Sequence, residues 1–173
     1  GEEKSKTVNS CAYGADGKVV KTVVAAPAPA DDKRGVRGKV AENKKEDISA
    51  HMQSSVALIK SYIPPDPAKI QACKDAGKMS MTVVEPGKRA RIDFKDYEKP
   101  GDVLGIEIDL ATNQILGLTV DSYLADAKDV VKLAVKMEAL PDGTSHPATI
   151  KLDTPAAETS VAITNSAYEK KAN

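Results

Sequence analysis

The second half of the chain alternates apolar and polar residues over seven consecutive short runs. Met79, Met81 and Val83 form the first run, and turn sequences such as Glu85-Pro86-Gly87-Lys88 separate each run from the next. The other six runs carry Ala90, Ile92 and Phe94; Leu104, Ile106 and Ile108; Leu116, Leu118 and Val120; Val131, Leu133, Val135 and Met137; His146, Ala148, Ile150 and Leu152; and Val161 with Ile163. A period of two residues is typical of antiparallel strands with one buried face. Residues 78–168 therefore predict an antiparallel meander.

A further pair of strands is predicted near the N-terminus. The β-branched residues of 5–25 flank Gly14-Ala15-Asp16-Gly17, and Asp-Gly favours a hairpin turn because glycine accepts positive φ. About nine strands in total approach the limit at which an open twisted sheet curls. Gly105 and Gly117 lie inside strands, where glycine permits bending or the close approach of another element. We expect a strongly curved antiparallel sheet, a half-open barrel.

Residues 46–77 carry the pattern of two helices. Between Asp47 and Tyr62 the apolar positions recur every three or four residues, which places them on one stripe of a helix. Asp66 before Pro67 is typical of a helix start, and Gly77 of a helix end. The first stripe consists of Ile48, Met52, Val56, Ile59 and Ile63, and the second inward face of Ile70 and Cys73. The predicted fold is α+β, with both helices packed on the concave face of the sheet.

Residues 26–45 show no apolar periodicity. An Ala-Pro-Ala-Pro-Ala segment precedes a stretch in which acidic and basic residues mix. Such a composition favours a long exposed loop. The sequence thus predicts one domain over 1–173, with an exposed loop at 26–45 as a candidate gate.

Composition narrows the classes of function. The 173 residues are 41% apolar, yet there is no Trp and only one Phe, so aromatic platforms for stacking bases or sugars are scarce. Lys plus Arg and Asp plus Glu both number 25, which leaves no positive excess for nucleic acid. No apolar run approaches the roughly 18 residues of a membrane span. We expect no nucleic-acid partner and no transmembrane segment.

Catalytic and metal-binding patterns are not found. Neither His51 nor His146 has a carboxylate at a spacing that implies orientation for catalysis. The chain lacks a Gly-x-Ser-x-Gly elbow and both common glycine-rich phosphate motifs. Turn aspartates at 102, 109, 121, 126 and 129 lack the register of a calcium loop and are interpreted as turn residues. The sequence predicts no enzyme, no metal site and no cofactor.

Cys11 and Cys73 are the only cysteines. Neither belongs to a CxxC motif, and neither has a histidine at zinc-ligand spacing. A Cys11–Cys73 disulfide would suit an oxidising compartment. The alternative is two unrelated thiols, one on a strand and one on a short helix.

Several segments look like those of a family of uncharacterised exported bacterial proteins. They are Cys11-Ala12-Tyr13-Gly14-Ala15-Asp16-Gly17, Ser61-Tyr62-Ile63-Pro64-Pro65-Asp66-Pro67, Ile92-Asp93-Phe94-Lys95-Asp96-Tyr97, Ser122-Tyr123-Leu124, Leu140-Pro141-Asp142-Gly143-Thr144 and Thr164-Asn165-Ser166-Ala167-Tyr168. The order of helices over a curved sheet is similar to the half-barrel of bacterial outer-membrane lipoprotein carriers. The resemblance implies a periplasmic or cell-envelope protein whose leader preceded Gly1.

Two functional hypotheses follow. In the first, an apolar ligand, a lipid or a lipid-modified protein binds between sheet and helices, because branched aliphatic and methionine side chains suit acyl chains. The candidate lining residues are Met52, Val56, Ile59, Ile106, Leu118, Val135 and Ile150. In the second, the chain is a structural or protein-interaction domain of an exported protein, with a packed core and no ligand.

Overall fold

The structure, a computed structural model, describes residues 5–13, 19–26 and 36–168. The chain divides into two compact units, Gly1–Asn43 and Lys44–Asn173. The first unit contains strands β1 (Val8–Tyr13) and β2 (Val19–Ala25), which pair antiparallel. This confirms the predicted hairpin. Its predicted turn at 14–17 lies outside the described residues.

Helix α1 extends over Val36–Ile59 and α2 over Pro67–Asp75. The prediction of a loop is therefore wrong for residues 36–45, while 27–35 lie outside the described residues. Residues 36–46 hold mainly Lys, Arg, Glu, Ala and Val, and most of these are good helix formers. They lack an apolar stripe, so apolar periodicity does not predict a helix there. No helix within the described ranges is both long and apolar enough to cross a membrane.

The predicted capping of α2 is confirmed. The Asp66 carboxylate accepts a hydrogen bond from the Ala68 backbone N–H at 2.8 Å, and Pro67 occupies the first turn. Gly77 follows the helix with φ of +68°, a conformation that glycine adopts without steric cost. Cys73 is buried and Ile70 packs against the core, as the spacing indicated.

Seven strands form the main sheet. They are β3 (Met79–Glu85), β4 (Arg89–Lys95), β5 (Val103–Asp109), β6 (Ile115–Tyr123), β7 (Val130–Ala139), β8 (Ser145–Thr154) and β9 (Thr159–Thr164). Each strand pairs antiparallel with the next in chain order, and the sheet is open, with β3 and β9 at its edges. The α+β fold with an antiparallel meander is thus confirmed.

The two sides of the main sheet differ in chemistry. One side, here called the apolar face, carries the alternating aliphatic residues and contacts the helices. The other, the polar face, carries cross-strand ion pairs such as Arg89–Glu107 at 3.0 Å and Lys132–Asp121 at 3.0 Å. Because these pairs are exposed, each contributes little to stability. The functional candidates therefore concentrate on the apolar face.

Gly105 allows a polar side chain to cross the polar face. The Arg91 guanidinium passes over it and donates to the Thr119 hydroxyl at 2.8 Å. A Cβ added at Gly105 would lie 2.3 Å from Arg91 Nη2 and 2.5 Å from Thr119 Oγ1. The sequence predicted that this glycine permits either bending or the close approach of another element, and the structure shows the close approach of a side chain.

The buried side of α1 differs from the predicted stripe. Ser55 is fully buried, whereas Val56 is 42% exposed. The helix is rotated so that Ser55 lies inward, where its hydroxyl donates to the His51 carbonyl at 2.9 Å and leaves no unpaired polar group. His51, on the same helix, is half-buried.

Candidate functional site

Two uninterrupted rows of apolar side chains cross the apolar face from β3 to β9. The inner row joins Met79, Phe94, Leu104, Val120, Leu133, Leu152 and Val161 through consecutive cross-strand pairs. The outer row joins Met81, Ile92, Ile106, Leu118, Val135, Ile150 and Ile163 in the same way. Because every register aligns, no polar side chain interrupts either row.

Burial changes along both rows. In the centre of the inner row Leu104 is fully buried, and in the outer row Leu118 is 8% exposed. At the edges the same rows reach solvent, with Met81 63% exposed on β3 and Ile163 43% exposed on β9. Exposed apolar side chains that continue a buried row form a patch of the kind that marks binding surfaces.

Four of the predicted lining residues are consecutive members of the outer row. They are Ile106, Leu118, Val135 and Ile150, of which the first two are buried and the last two half-buried. The remaining three belong to α1. Whether the seven line a ligand cavity stays a prediction.

The α1 residues divide between two sides of the helix. Met52 and Ile59 pack against the core from above the sheet. Val56 is exposed and, together with Met52, Ala57 and Lys60, lines an open groove of about 430 Å³ on the helix surface. Met52 therefore lies between the core and the groove, whereas Val56 belongs to the groove alone.

A buried polar cluster borders the inner row where α1 ends. Asp102, Tyr62 and Ser122 form it, and all three are buried. The Tyr62 hydroxyl donates to the Asp102 carboxylate and lies 2.8 Å from the Ser122 hydroxyl. The carboxylate also accepts backbone N–H groups from Tyr97 at 2.6 Å and Lys99 at 3.0 Å. The cluster thus ties the loop between β4 and β5 to the end of α1.

The electrostatics of the cluster suit a structural role. Burial raises the pKa of Tyr62 well above its ordinary value, and the hydrogen bond to Asp102 raises it further. Tyr62 therefore stays a neutral donor at physiological pH and cannot act as a base toward Ser122. Burial raises the pKa of Tyr97 as well, and this ring stacks on Tyr62 with centroids 5.7 Å apart.

Sequence reasoning considered Asp102 only as a turn carboxylate and did not single out Ser122. A signal was present, because Ser122 continues the inward register of Leu118 and Val120 on β6. A polar residue at an inward strand position predicts a buried hydrogen bond, since buried polar groups are almost always paired.

A second depression, of about 390 Å³, lies beside this cluster. Its wall includes Tyr123, whose hydroxyl donates to the Pro100 carbonyl at 2.8 Å. The Lys99 ammonium lies 4.2 Å from the Tyr123 ring centroid and donates to the Leu124 carbonyl at 2.9 Å. These contacts hold the loop after β4 against the loop after β6.

The histidines and cysteines do not converge on a reactive centre. His146 opens β8 and stacks on Tyr168 with centroids 3.9 Å apart. His51 Nε2 is buried and has no hydrogen-bond partner among the described residues. Both thiols are free: Cys11 is exposed, and Cys73 is buried, which raises the pKa of its thiol.

Metal-ligand groups are likewise dispersed. Within residues 5–13, 19–26 and 36–168, no three His, Cys, Asp or Glu side chains are placed to hold one ion.

Comparisons with protein-family models, with curated proteins and with solved structures give no significant match.

Proposed function

We propose that this chain is a binding protein that holds an extended apolar chain, such as the acyl chain of a lipid or of a lipid-modified protein, along the outer row of the apolar face. One observation carries the proposal: the outer row is apolar on all seven strands, buried at its centre and exposed at both ends. A ligand that enters at an exposed edge meets apolar surface throughout.

The chemistry of the outer row supports an acyl chain over a polar ligand. Its members are Met, Val, Leu and Ile, whose flexible or branched side chains adapt to a chain without fixed shape. Neighbouring strands lie about 4.8 Å apart, so six steps give a row of roughly 29 Å. This length suits a long hydrocarbon chain.

Helix α1 packs against the same hydrophobic core as the outer row, through Met52 and Ile59. Its buried contact includes Ser55, whose hydroxyl is already bonded to the His51 carbonyl. The Ser55 hydroxyl therefore presents no unpaired donor to an apolar chain. The half-buried Met52 can change rotamer at small cost because it is unbranched.

A cell-envelope location belongs to the same proposal. Its support is the resemblance of the segments around Cys11, Tyr62 and Tyr168 to exported bacterial proteins. An acyl-chain binder in the envelope would carry or shield a lipid in an aqueous compartment.

The alternative, a structural or protein-interaction domain without a ligand, also has an observation in its favour. The central residues of the inner row pack as a closed core, with Phe94, Leu104 and Val120 each at most 3% exposed. In that case the exposed ends of the rows contact another protein.

The experiment is native mass spectrometry of the purified protein, with lipid extraction of the same sample and titration with fatty acids, phospholipids and lipopeptides. Ile163→Glu places a charge in the outer row at an exposed edge, and Ala162→Glu places the same charge one residue away on the polar face. We expect Ile163→Glu to weaken acyl-chain binding at least about tenfold and Ala162→Glu to leave it unchanged. A ligand-free mass with no uptake of any of the three lipid classes overturns the proposal and favours the interaction domain.

A further inference from the structure

Strand β3 has an unprotected edge. It pairs with β4 alone among the described strands, and Met79–Val84 are all exposed. Edge strands usually carry a charge, a proline or a bulge that prevents pairing with another chain. From residue 79 to residue 84 β3 has neither a charge nor a proline, and its one register irregularity lies at its end, between Val83 and Glu85.

The free backbone groups of β3 can be assigned. The Lys95 N–H donates to the Lys78 carbonyl at 2.9 Å, so the carbonyl of Lys78 points toward β4. In an antiparallel ladder the residues of a strand point their N–H and C=O groups alternately to either side. The groups of Met79, Met81 and Val83 therefore point outward, away from β4.

We infer that β3 pairs antiparallel with β3 of a second copy of this chain, about a two-fold axis through Met81. In this register Met79 lies opposite Val83 of the second copy and Met81 opposite its own equivalent. These are the residues whose N–H and C=O groups point outward, so each pair can exchange two hydrogen bonds.

The strand is complementary to itself in this orientation. On the apolar face Met79 meets Val83 of the second copy and Met81 meets its own equivalent, while Ser80 meets Thr82 on the polar face. Aligned apolar pairs and hydroxyl pairs both stabilise neighbouring strands.

Charge selects the antiparallel orientation. Lys78 precedes β3 and Glu85 ends it, so antiparallel pairing brings the opposite charges of two copies together at both ends. Both side chains already contact local charges: Lys78 contacts Asp96 at 3.1 Å, and Glu85 contacts Lys88 at 2.7 Å. These contacts are on the surface and can be shared with a second copy. Parallel pairing would place Lys78 beside Lys78 and Glu85 beside Glu85 of the second copy.

A two-fold contact of this kind closes on itself and stops at a dimer. Pairing of β3 with the other edge strand, β9, would instead repeat without end and form filaments. In the dimer the two main sheets become one continuous antiparallel sheet, and their outer rows meet on one face. The inference does not depend on the proposed ligand.

Native mass spectrometry over a range of protein concentrations tests this arrangement. We expect a dimer that dissociates on dilution. Met81→Lys and Met81→Glu should each raise the dimer dissociation constant at least tenfold, because like charges would face each other across the axis. An equimolar mixture of the two variants should form a heterodimer with an affinity near that of the natural chain. Ala162→Lys, on the exposed edge strand β9, should leave the dimer intact.

Other outcomes contradict the inference. A chain that stays monomeric at the highest soluble concentration excludes the dimer. A dimer that persists in both Met81 variants, or fails to re-form in their mixture, excludes this register. An open-ended series of oligomers that Ala162→Lys abolishes assigns the contact to β9. Circular dichroism of each variant confirms that the fold is retained.

Discussion

Tyr62 connects the end of α1 to the loop between β4 and β5 through a hydroxyl group that water does not reach. Its ring is fully buried and its donor is satisfied by Asp102, which itself accepts backbone N–H groups. Removing the hydroxyl would leave a buried carboxylate with one donor fewer, and such losses cost about 1–3 kcal/mol. The contribution of Tyr62 should also depend on pH.

The alkaline pH range gives a test of Tyr62. Its pKa in the folded protein is above the value of about 10 expected when unfolded, so the folded state holds the proton more tightly. The stabilisation is therefore complete below pH ~10 and is lost as pH rises beyond it. We expect the urea midpoint to fall above pH ~10, and to fall less steeply in Tyr62→Phe. Tyr123→Phe, whose hydroxyl is exposed, serves as the control. Equal slopes in all three proteins would contradict this role.

At the scale of the strands, the Arg91 side chain crosses Gly105 so closely that one added methyl group would disturb it. Gly105→Ala should displace the guanidinium and break its hydrogen bond to Thr119. We expect a loss of at least about 1 kcal/mol in the free energy of unfolding, since the flexible end of Arg91 can shift but the Thr119 hydroxyl, 2.5 Å from the added Cβ, must give way as well. Urea unfolding of Gly105→Ala and of the natural chain measures this loss in the free energy of unfolding.

A double-mutant cycle separates this clash from the intrinsic difference between glycine and alanine in a strand. In a chain that already carries Arg91→Ala, Gly105→Ala should cost clearly less than in the natural chain, and the cost that remains comes from the Thr119 hydroxyl, 2.5 Å from the added Cβ. If the two losses simply add, the close approach of Arg91 is not what requires glycine at this position.

At the same scale, sequence patterns predicted the strands better than the helices. Each strand carries its own period-two signal and ends in turn residues such as Pro86-Gly87, so β3 to β9 were all found. The N-terminal half of α1 carries no such signal. The buried side of α1 was also predicted wrongly, because the polar Ser55 is buried and the apolar Val56 is exposed. That choice depends on which side of the helix packs against the rest of the chain, which is a tertiary property.

For the whole molecule, the sequence predicted one part of the candidate site, the outer row, and missed the other, the polar cluster. Ile106, Leu118, Val135 and Ile150 were predicted to line one surface, and the registers place them in one row because period-two patterns fix which residues share a face. The polar cluster was not predicted, since Tyr62 and Asp102 lie 40 residues apart in the sequence. Contacts of this range follow from the packing of α1, not from any local pattern.

The strand order has a consequence for folding kinetics. Because β3 to β9 pair in chain order, the sheet can assemble from hairpins whose loops are short, and local contacts of this kind fold fast. The contact between Met52 and Thr154 spans 102 residues and closes α1 onto the far end of the sheet. We expect it to form after the transition state. Met52→Ala should therefore speed unfolding and hardly change the folding rate in stopped-flow experiments, whereas Leu118→Ala, in the central hairpins, should slow folding. The reverse pattern would mean that α1 docks first. If α1 docks last, it is also the element that opens most readily in the native state, so the part of the core that Met52 and Ile59 cover would be reached by a partial opening that leaves the meander intact.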